Sequence, residues 1–438
     1  MKNALILKGQ TLSFSENPFD VGPENSTKHY TDGAVLIENG KIQNVGPSEE
    51  IIGNSGNVTV VDYGSHLITA GFIDCHAHYP QIPIIASYGE QLLEWLEKYT
   101  FPVESRFCDK KYARSVADLF LKECLKNGIT SSSVYATVHQ VSVDAFFEAT
   151  SELGLRMACG KVMMDRNAPD SLCDTPQIAY DQSKELIKKW HGIGRNLYAI
   201  TPRFAPTSSQ QQLEIAGALW KEYPSVLMQT HLAENSKEIS WVTQLFPDLP
   251  DYFGVYEKFG LVGQGAIFGH GIHLNEREKS ALQESSSSIA HCPTSNMFIG
   301  SGLFDISKLN SDGRPITIGL GTDIAGGSSL SMFATMKTAY ETAQLCNYSL
   351  HPAQAWYLAT IGSASAMKLE NCVGNLLPGM EADIIIINLC STPLIQQRIE
   401  KAYDIWDILF AQIILADERA IRATYVDGKC VFNNNNSE

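Results

Sequence analysis

Residues 68–81, ITAGFIDCHAHYPQ, set two histidines one residue apart at the end of an apolar run. Alternate side chains of a β-strand share a face, so His76 and His78 point the same way. Two imidazoles at a strand end can share one metal ion, and an isolated pair can equally be ordinary buried residues. The surrounding chain has to decide between these readings.

Downstream of this run the sequence alternates between apolar strands and amphipathic helices. After HLITAGFIDCH come ITSSSVYAT (129–137), RMACGKVMM (156–164), LYAITPRFA (197–205), SVLMQTHLA (225–233), GAIFGHG (265–271), SSIAHCP (287–293) and ITIGLGTD (316–323). Helical stretches such as KYARSVADLFLKECLKNG and LSMFATMKTAYETAQL fall between them. Eight such alternations predict a (β/α)8 barrel, an α/β fold, although an open doubly wound sheet alternates too. The two ends of the chain read as β structure. GAVLIENGKIQNVGP carries the hairpin dipeptide Asn39-Gly40, EADIIIINL is a buried-strand run, and ATYVDGKCVF turns at Asp427-Gly428. Together they predict a small β-sandwich domain built from both termini. The expected division is 1–67 and 371–432 for the sandwich, 68–370 for the barrel, and 433–438 as a polar, disordered tail.

Composition narrows the function. The formal charge of −15 argues against a nucleic-acid surface, which needs basic patches. No stretch approaches the ~20 apolar residues of a membrane span, and the apolar run near the N-terminus is too short for a signal peptide. The ten cysteines are scattered without a C-x-x-C pair, as expected of reduced thiols in the cytoplasm. A small-molecule ligand is the expectation.

Polar residues crowd the C-terminal ends of the predicted strands. The first delivers His76 and His78, the fourth Arg203, and the fifth His231, with Glu234 three residues on. The sixth gives His270, the seventh His291 and the eighth Asp323. Singly, each has an ordinary reading as a core histidine, a helix N-cap or a helix-start carboxylate. Barrel active sites lie at that face, so their joint occurrence there points to a functional site.

At this point GFIDCHAHYPQ, LLEWLEKYTFPVE, TPRF, THLAEN, GHGIHL, AHCPTSN and GLGTDIAGG together resemble the guanine deaminase branch of the amidohydrolase superfamily. The resemblance runs from about residue 65 to 330. It departs at Ala70, where members usually carry proline. It implies hydrolysis of guanine to xanthine and ammonia, with one Zn2+ per chain held by His76, His78, His231 and Asp323. Iron(II) suits the same donors. Glu234 is implied as the proton shuttle, His270 as a group orienting the water, and Asp323 as a second partner of the attacking hydroxide. A homodimer is implied by the resemblance alone. A second metal would need a carboxylated lysine, for which Lys161 is the nearby candidate.

Guanine offers O6 and N7 as adjacent acceptors, which fit the donor-only fork of arginine, whereas adenine puts an amino group at the O6 position. Arg203 is the candidate fork, or else it salt-bridges a nearby carboxylate. Phe204 is expected to pack on the ring and Gln81 to read a ring nitrogen. Trp95 and Phe101 either close an aromatic lid or pack into the barrel. Arg203→Ala is expected to lose specificity far more than stability. The alternative function is another aminohydrolase of the superfamily acting on a nucleoside, pterin or triazine. The cytidine-deaminase type of zinc site is excluded, because neither H-x-E nor P-C-x-x-C occurs.

Overall fold

Strand β1 (Ala4–Phe14) pairs antiparallel with β2 (Thr27–Glu38), which turns into β3 (Lys41–Pro47) through Asn39 and Gly40, both at positive φ. Two short helices, Pro18–Val21 and Pro23–Ser26, fill the segment between β1 and β2. Strand β4 (Thr59–Ala70) runs parallel to β1. The computed structural model describes residues 4–309 and 316–434.

The apolar run expected to form one strand is two. It leaves the terminal sheet at Ala70 and, past Gly71, re-forms as β5 (Phe72–His78), the first barrel strand. Parallel neighbours follow: β6 (Ile129–Tyr135), β7 (Arg156–Gly160), β8 (Val162–Met163), β9 (Leu197–Pro202), β10 (Leu227–Leu232), β11 (Ala266–His270), β12 (Ser288–His291) and β13 (Thr317–Leu320). β7 and β8 divide the run expected as a single third strand, and both pair with β9. The barrel closes where the last strand meets the first. The Asp323 amide donates to the His76 carbonyl at 2.8 Å, and the Thr322 amide donates to Asp74 at 2.9 Å.

The helices between strands follow from apolar spacing and caps. Asp109 caps Lys110–Lys126, whose Ala113, Val116, Ala117, Phe120, Leu121 and Cys124 are buried against the barrel. Removing the Phe120 ring would cost about 3–5 kcal/mol. Between β5 and β6 the chain makes an excursion instead of a simple loop. A turn (Tyr79–Ile84), a helix (Leu92–Trp95), a wide turn (Leu96–Thr100) and a second helix (Phe101–Glu104) cross the barrel mouth.

Strands β14 (Ile384–Ile387), β15 (Ile421–Val426) and β16 (Lys429–Asn433) complete the terminal sheet, in the order β16-β15-β14-β4-β1-β2-β3. Arg195 ties barrel to sheet, donating to Glu381 at 2.7 Å and also to Asp383. Asn433, expected in the tail, belongs to β16. Residues 435–438 lie outside the described residues.

Candidate active site

Strand ends deliver the cluster. His76 and His78 come from β5, and His231 from β10. His270 ends β11, and Asp323 follows β13. Nε2 atoms of His78 and His231 lie 3.2 Å apart. Asp323 Oδ1 is 3.5 Å from His76 Nε2 and 3.4 Å from His78 Nε2. His270 Nε2 stands 3.3 Å from Glu234 Oε2 and 3.8 Å from Asp323 Oδ2. His270 and Asp323 both adopt positive φ, 73° and 47°, in the left-handed region that non-glycine residues rarely enter. That bend at the strand exit turns both groups inward, as backbone strain at functional sites often does.

The cluster has the makings of a metal cradle. One ligand atom each from His76, His231, His270 and Asp323 lies within 4.8 Å of the others. Both ring nitrogens of His76, Nδ1 of His78 and Nε2 of His270 are buried without a hydrogen-bond partner. Nδ1 of His231 meets the Arg203 carbonyl at 2.6 Å and so carries the proton, which leaves the Nε2 lone pair facing inward. A divalent cation would take up the inward-facing Nε2 lone pairs of His76, His78 and His231 beside the Asp323 carboxylate, so the residues present fit one.

Protonation agrees with this. Burial holds His76 below its ordinary range and His78 and His231 well below theirs, so the three rings are neutral donors. Burial opposes a charge on Asp323, but contacts with the His76, His270 and His78 rings hold it below the usual carboxylate range. Glu234 differs: burial pushes it up to about 7, with His270 pulling the other way. Burial works against a proton on His270, and the carboxylates of Glu234 and Asp323 overcome it and raise its pKa. The pair is a natural place to keep a mobile proton.

Beside the cluster lies a cavity at the barrel mouth. Gln81, Trp95, Arg203 and Phe204 line it together with His78, His231, Glu234, His270 and Asp323. Trp95 therefore combines both expected roles, lining the cavity while packing on Tyr99 and Phe298. Phe101 sits behind the wall, its ring centroid 5.9 Å from the Arg203 guanidinium carbon. Arg203 is salt-bridged to Glu104 at 2.8 Å and still faces the cavity, so the two readings of this residue coexist.

Other expectations fare differently. Lys161 is buried in an ion pair with Asp174, away from the histidines, and offers no bridging ligand. His291 stacks on Phe304 at 4.3 Å and does not line the cavity.

Several residues not evident from the sequence complete the site. Ser301 donates to Glu234 Oε1 at 3.0 Å, and Asn296 Oδ1 accepts from His270 Nδ1 at 2.9 Å. Tyr135 stacks on His78 at 4.3 Å. Glu238 accepts from the Glu234 amide at 2.9 Å and from the Tyr252 hydroxyl at 2.7 Å, holding the Glu234 backbone. The Asn235-x-x-Glu238 capping box was the readable signal for it. Gly269 and Gly321 make room for His76, since a Cβ at either would come within 2.6 Å or 2.7 Å of that residue.

This is the metal-hydrolase architecture of a known family. The chain belongs to the amidohydrolase family, whose sequence profile matches residues 67–431. It is 47% identical to the guanine deaminase of Escherichia coli (strain K12), covering 96% of this chain and 95% of that one. A solved structure of an E. coli guanine deaminase superposes with a TM-score of 0.95 at 45% identity, covering 98% of this chain and 100% of the other. The guanine deaminase of C. acetobutylicum, solved with guanine in its active site, gives 0.88 at 29% identity, covering 98% and 100%.

Proposed function

We infer that this chain hydrolyses guanine to xanthine and ammonia. The observation that carries the reading is one cavity lined both by residues of the histidine–carboxylate cradle and by Arg203, Gln81 and Phe204. The similarity to guanine deaminases at both sequence and fold level supports the same substrate.

His76, His78, His231 and Asp323 would hold one divalent cation. Three neutral imidazoles and a carboxylate suit zinc, and iron(II) as a second choice. When bound, such an ion lowers the pKa of water from 15.7 to about 7 and so supplies hydroxide at neutral pH. The chain's own groups do the rest. Glu234 takes a proton from the attacking water and delivers it to a ring nitrogen of the base. A C–O bond forms at C2, the C2–N bond to the exocyclic amine breaks, and a proton passed through Glu234 lets the amine leave as ammonia. His270, fixed by Asn296, stands beside both Glu234 and Asp323 and stabilises the negative charge that develops on the oxygen. Arg203 meets O6 and N7 of guanine, while Phe204 packs on the flat ring. Adenine would set an amino group against a guanidinium that cannot accept a hydrogen bond.

No helix among the described residues is long and apolar enough to cross a membrane, and all ten cysteines are free thiols. The free thiols support a cytoplasmic location as part of this proposal. The test is incubation of zinc-loaded protein with guanine, following the ultraviolet band as xanthine forms, with adenosine, cytosine and melamine in parallel. Guanine should turn over fastest; a faster rate on any of the others would overturn the reading.

A further inference from the structure

Behind the base-reading wall lies a carboxylate that no part of this chemistry has used. Glu104 closes the helix Phe101–Glu104, is 0% exposed, and does not line the cavity. Its two oxygens are divided between the two polar residues of the wall. Oε2 accepts from Arg203 Nη1 at 2.8 Å, and Oε1 accepts from Gln81 Nε2 at 3.2 Å. Among the described residues Glu104 is the one hydrogen-bonding partner of the Arg203 guanidinium.

This bridge decides what the wall can read. An ionised carboxylate only accepts, so the Gln81 amide nitrogen must turn to Glu104, leaving its oxygen for the ligand. Arg203, held at Nη1, keeps its remaining donors for the ligand, and the Phe101 ring backs its plane. We propose that Glu104 is a positioning residue that fixes a donor–acceptor frame, in which Arg203 demands a carbonyl and Gln81 demands an N–H from the same base. This inference rests on the guanine-hydrolysing reading and deepens it. Guanine carries both groups. A purine with the same 2-amino group but no O6 and no N1–H, such as 2-aminopurine, lacks the carbonyl and has fewer N–H donors. The motif LLEWLEKYTFPVE ends at Glu104, but its bridging of the two side chains was not readable from the sequence, because the burial that sets it is tertiary.

The experiment compares wild type, Glu104→Gln and Glu104→Asp on guanine and 2-aminopurine. The glutamine keeps the size but must turn an NH2 towards Arg203 or Gln81, so one of them loses its acceptor. Misplacement of about 1 Å costs roughly 10²-fold, and the kcat/KM ratio of guanine to 2-aminopurine should fall by about that much. The rate on 2-aminopurine should stay within several-fold, with zinc content unchanged. A merely structural residue would lower both substrates together. Should E104Q fail to fold, E104D makes the same comparison: its shorter side chain cannot span both partners, so its ratio should fall at least tenfold.

Kd values for the two bases, measured by calorimetry on the same proteins, give the preference without turnover. A wild type that prefers guanine in binding but never hydrolyses it defeats the functional reading and leaves this one standing. A wild-type preference preserved in a folded Glu104 variant, or no preference for guanine in the wild type, overturns the proposal.

Discussion

Two regions meet in one cavity and are built in opposite ways. The cradle is assembled from the ends of β5, β10 and β11 and the segment after β13, so residues from 76 to 323 converge on it. The hydrogen-bonded ladder of the barrel sets their positions. The wall is local by comparison. Gln81, Trp95 and the Glu104 behind them all come from the excursion between β5 and β6, with Arg203 and Phe204 added after β9. Side-chain bonds, not the ladder, fix its geometry. The contrast assigns bond-breaking to the scaffold and substrate choice to an insertion, a division that suits a fold hosting many chemistries.

The largest expected effect falls on the cradle. Asp323→Ala should lose both bound metal and turnover on every substrate, measured by metal analysis and assay, and a chelator should do the same to the wild type reversibly. A variant that kept its metal and lost only its preference for guanine would break the contrast. Next comes Glu234→Gln. The side chain keeps its shape and its contact with Ser301 but can no longer take a proton. We expect kcat to fall about 10²–10⁴-fold with metal still bound. Near wild-type turnover would remove Glu234 from the proton path.

The same division explains what could be read from the chain beforehand. His76, His78, His231, His270 and Asp323 were legible because strand ends recur at regular intervals and the barrel rule says where they meet. The break at Gly71 was not, because the apolar pattern of residues 68–78 continues unchanged while the pairing partner switches from β1 and β14 to β6. Periodicity records burial, not neighbours. The bridging by Glu104 was illegible for a similar reason: in FPVESRFCDK a glutamate on a short helix looks like an exposed one. The ion pair that occupies Lys161, the lysine a second metal would have needed, was not legible, because Asp174 lies in the connection after β8, a segment without periodic signal. Ser301 and Asn296 sit beyond β12, where only the folded loop brings them to Glu234 and His270.

Arg203 sharpens the contrast at the next level of effect. The sequence suggested that Arg203→Ala would lose specificity far more than stability. The salt bridge to wholly buried Glu104 reverses that expectation, since removing one partner strands a charge in the interior. Such a loss typically costs about 3–5 kcal/mol. The variant should therefore lose thermal stability and guanine specificity together. The double change Arg203→Ala with Glu104→Ala should recover part of the stability and none of the specificity. If the single variant melts with the wild type, the bridge does not hold the wall.

The mildest prediction concerns pH and separates the two carboxylates of the cradle. Glu234 ordinarily titrates at 4.5, and burial pushes it up to about 7 against the pull of His270. A base must be unprotonated, so kcat/KM for guanine should fall by up to about tenfold per pH unit on the acid side, with a bound cation moving that limb below the value set by burial alone. Stability runs the other way. The fold binds this proton more tightly than the unfolded chain does, so the contribution is complete below 4.5 and is lost as pH rises through about 7. Glutamine has no proton to lose. In chelator-treated protein, E234Q should gain Tm relative to wild type by roughly 2–4 °C between about pH 5 and about pH 8. Asp323, held below the ordinary carboxylate range, is already ionised throughout that window, so any pH dependence in the Tm shift of Asp323→Asn comes from His270, whose pKa this carboxylate raises. Parallel Tm–pH curves for wild type and E234Q would mean that Glu234 titrates as an exposed carboxyl, and the acid limb of the activity would have to come from another group.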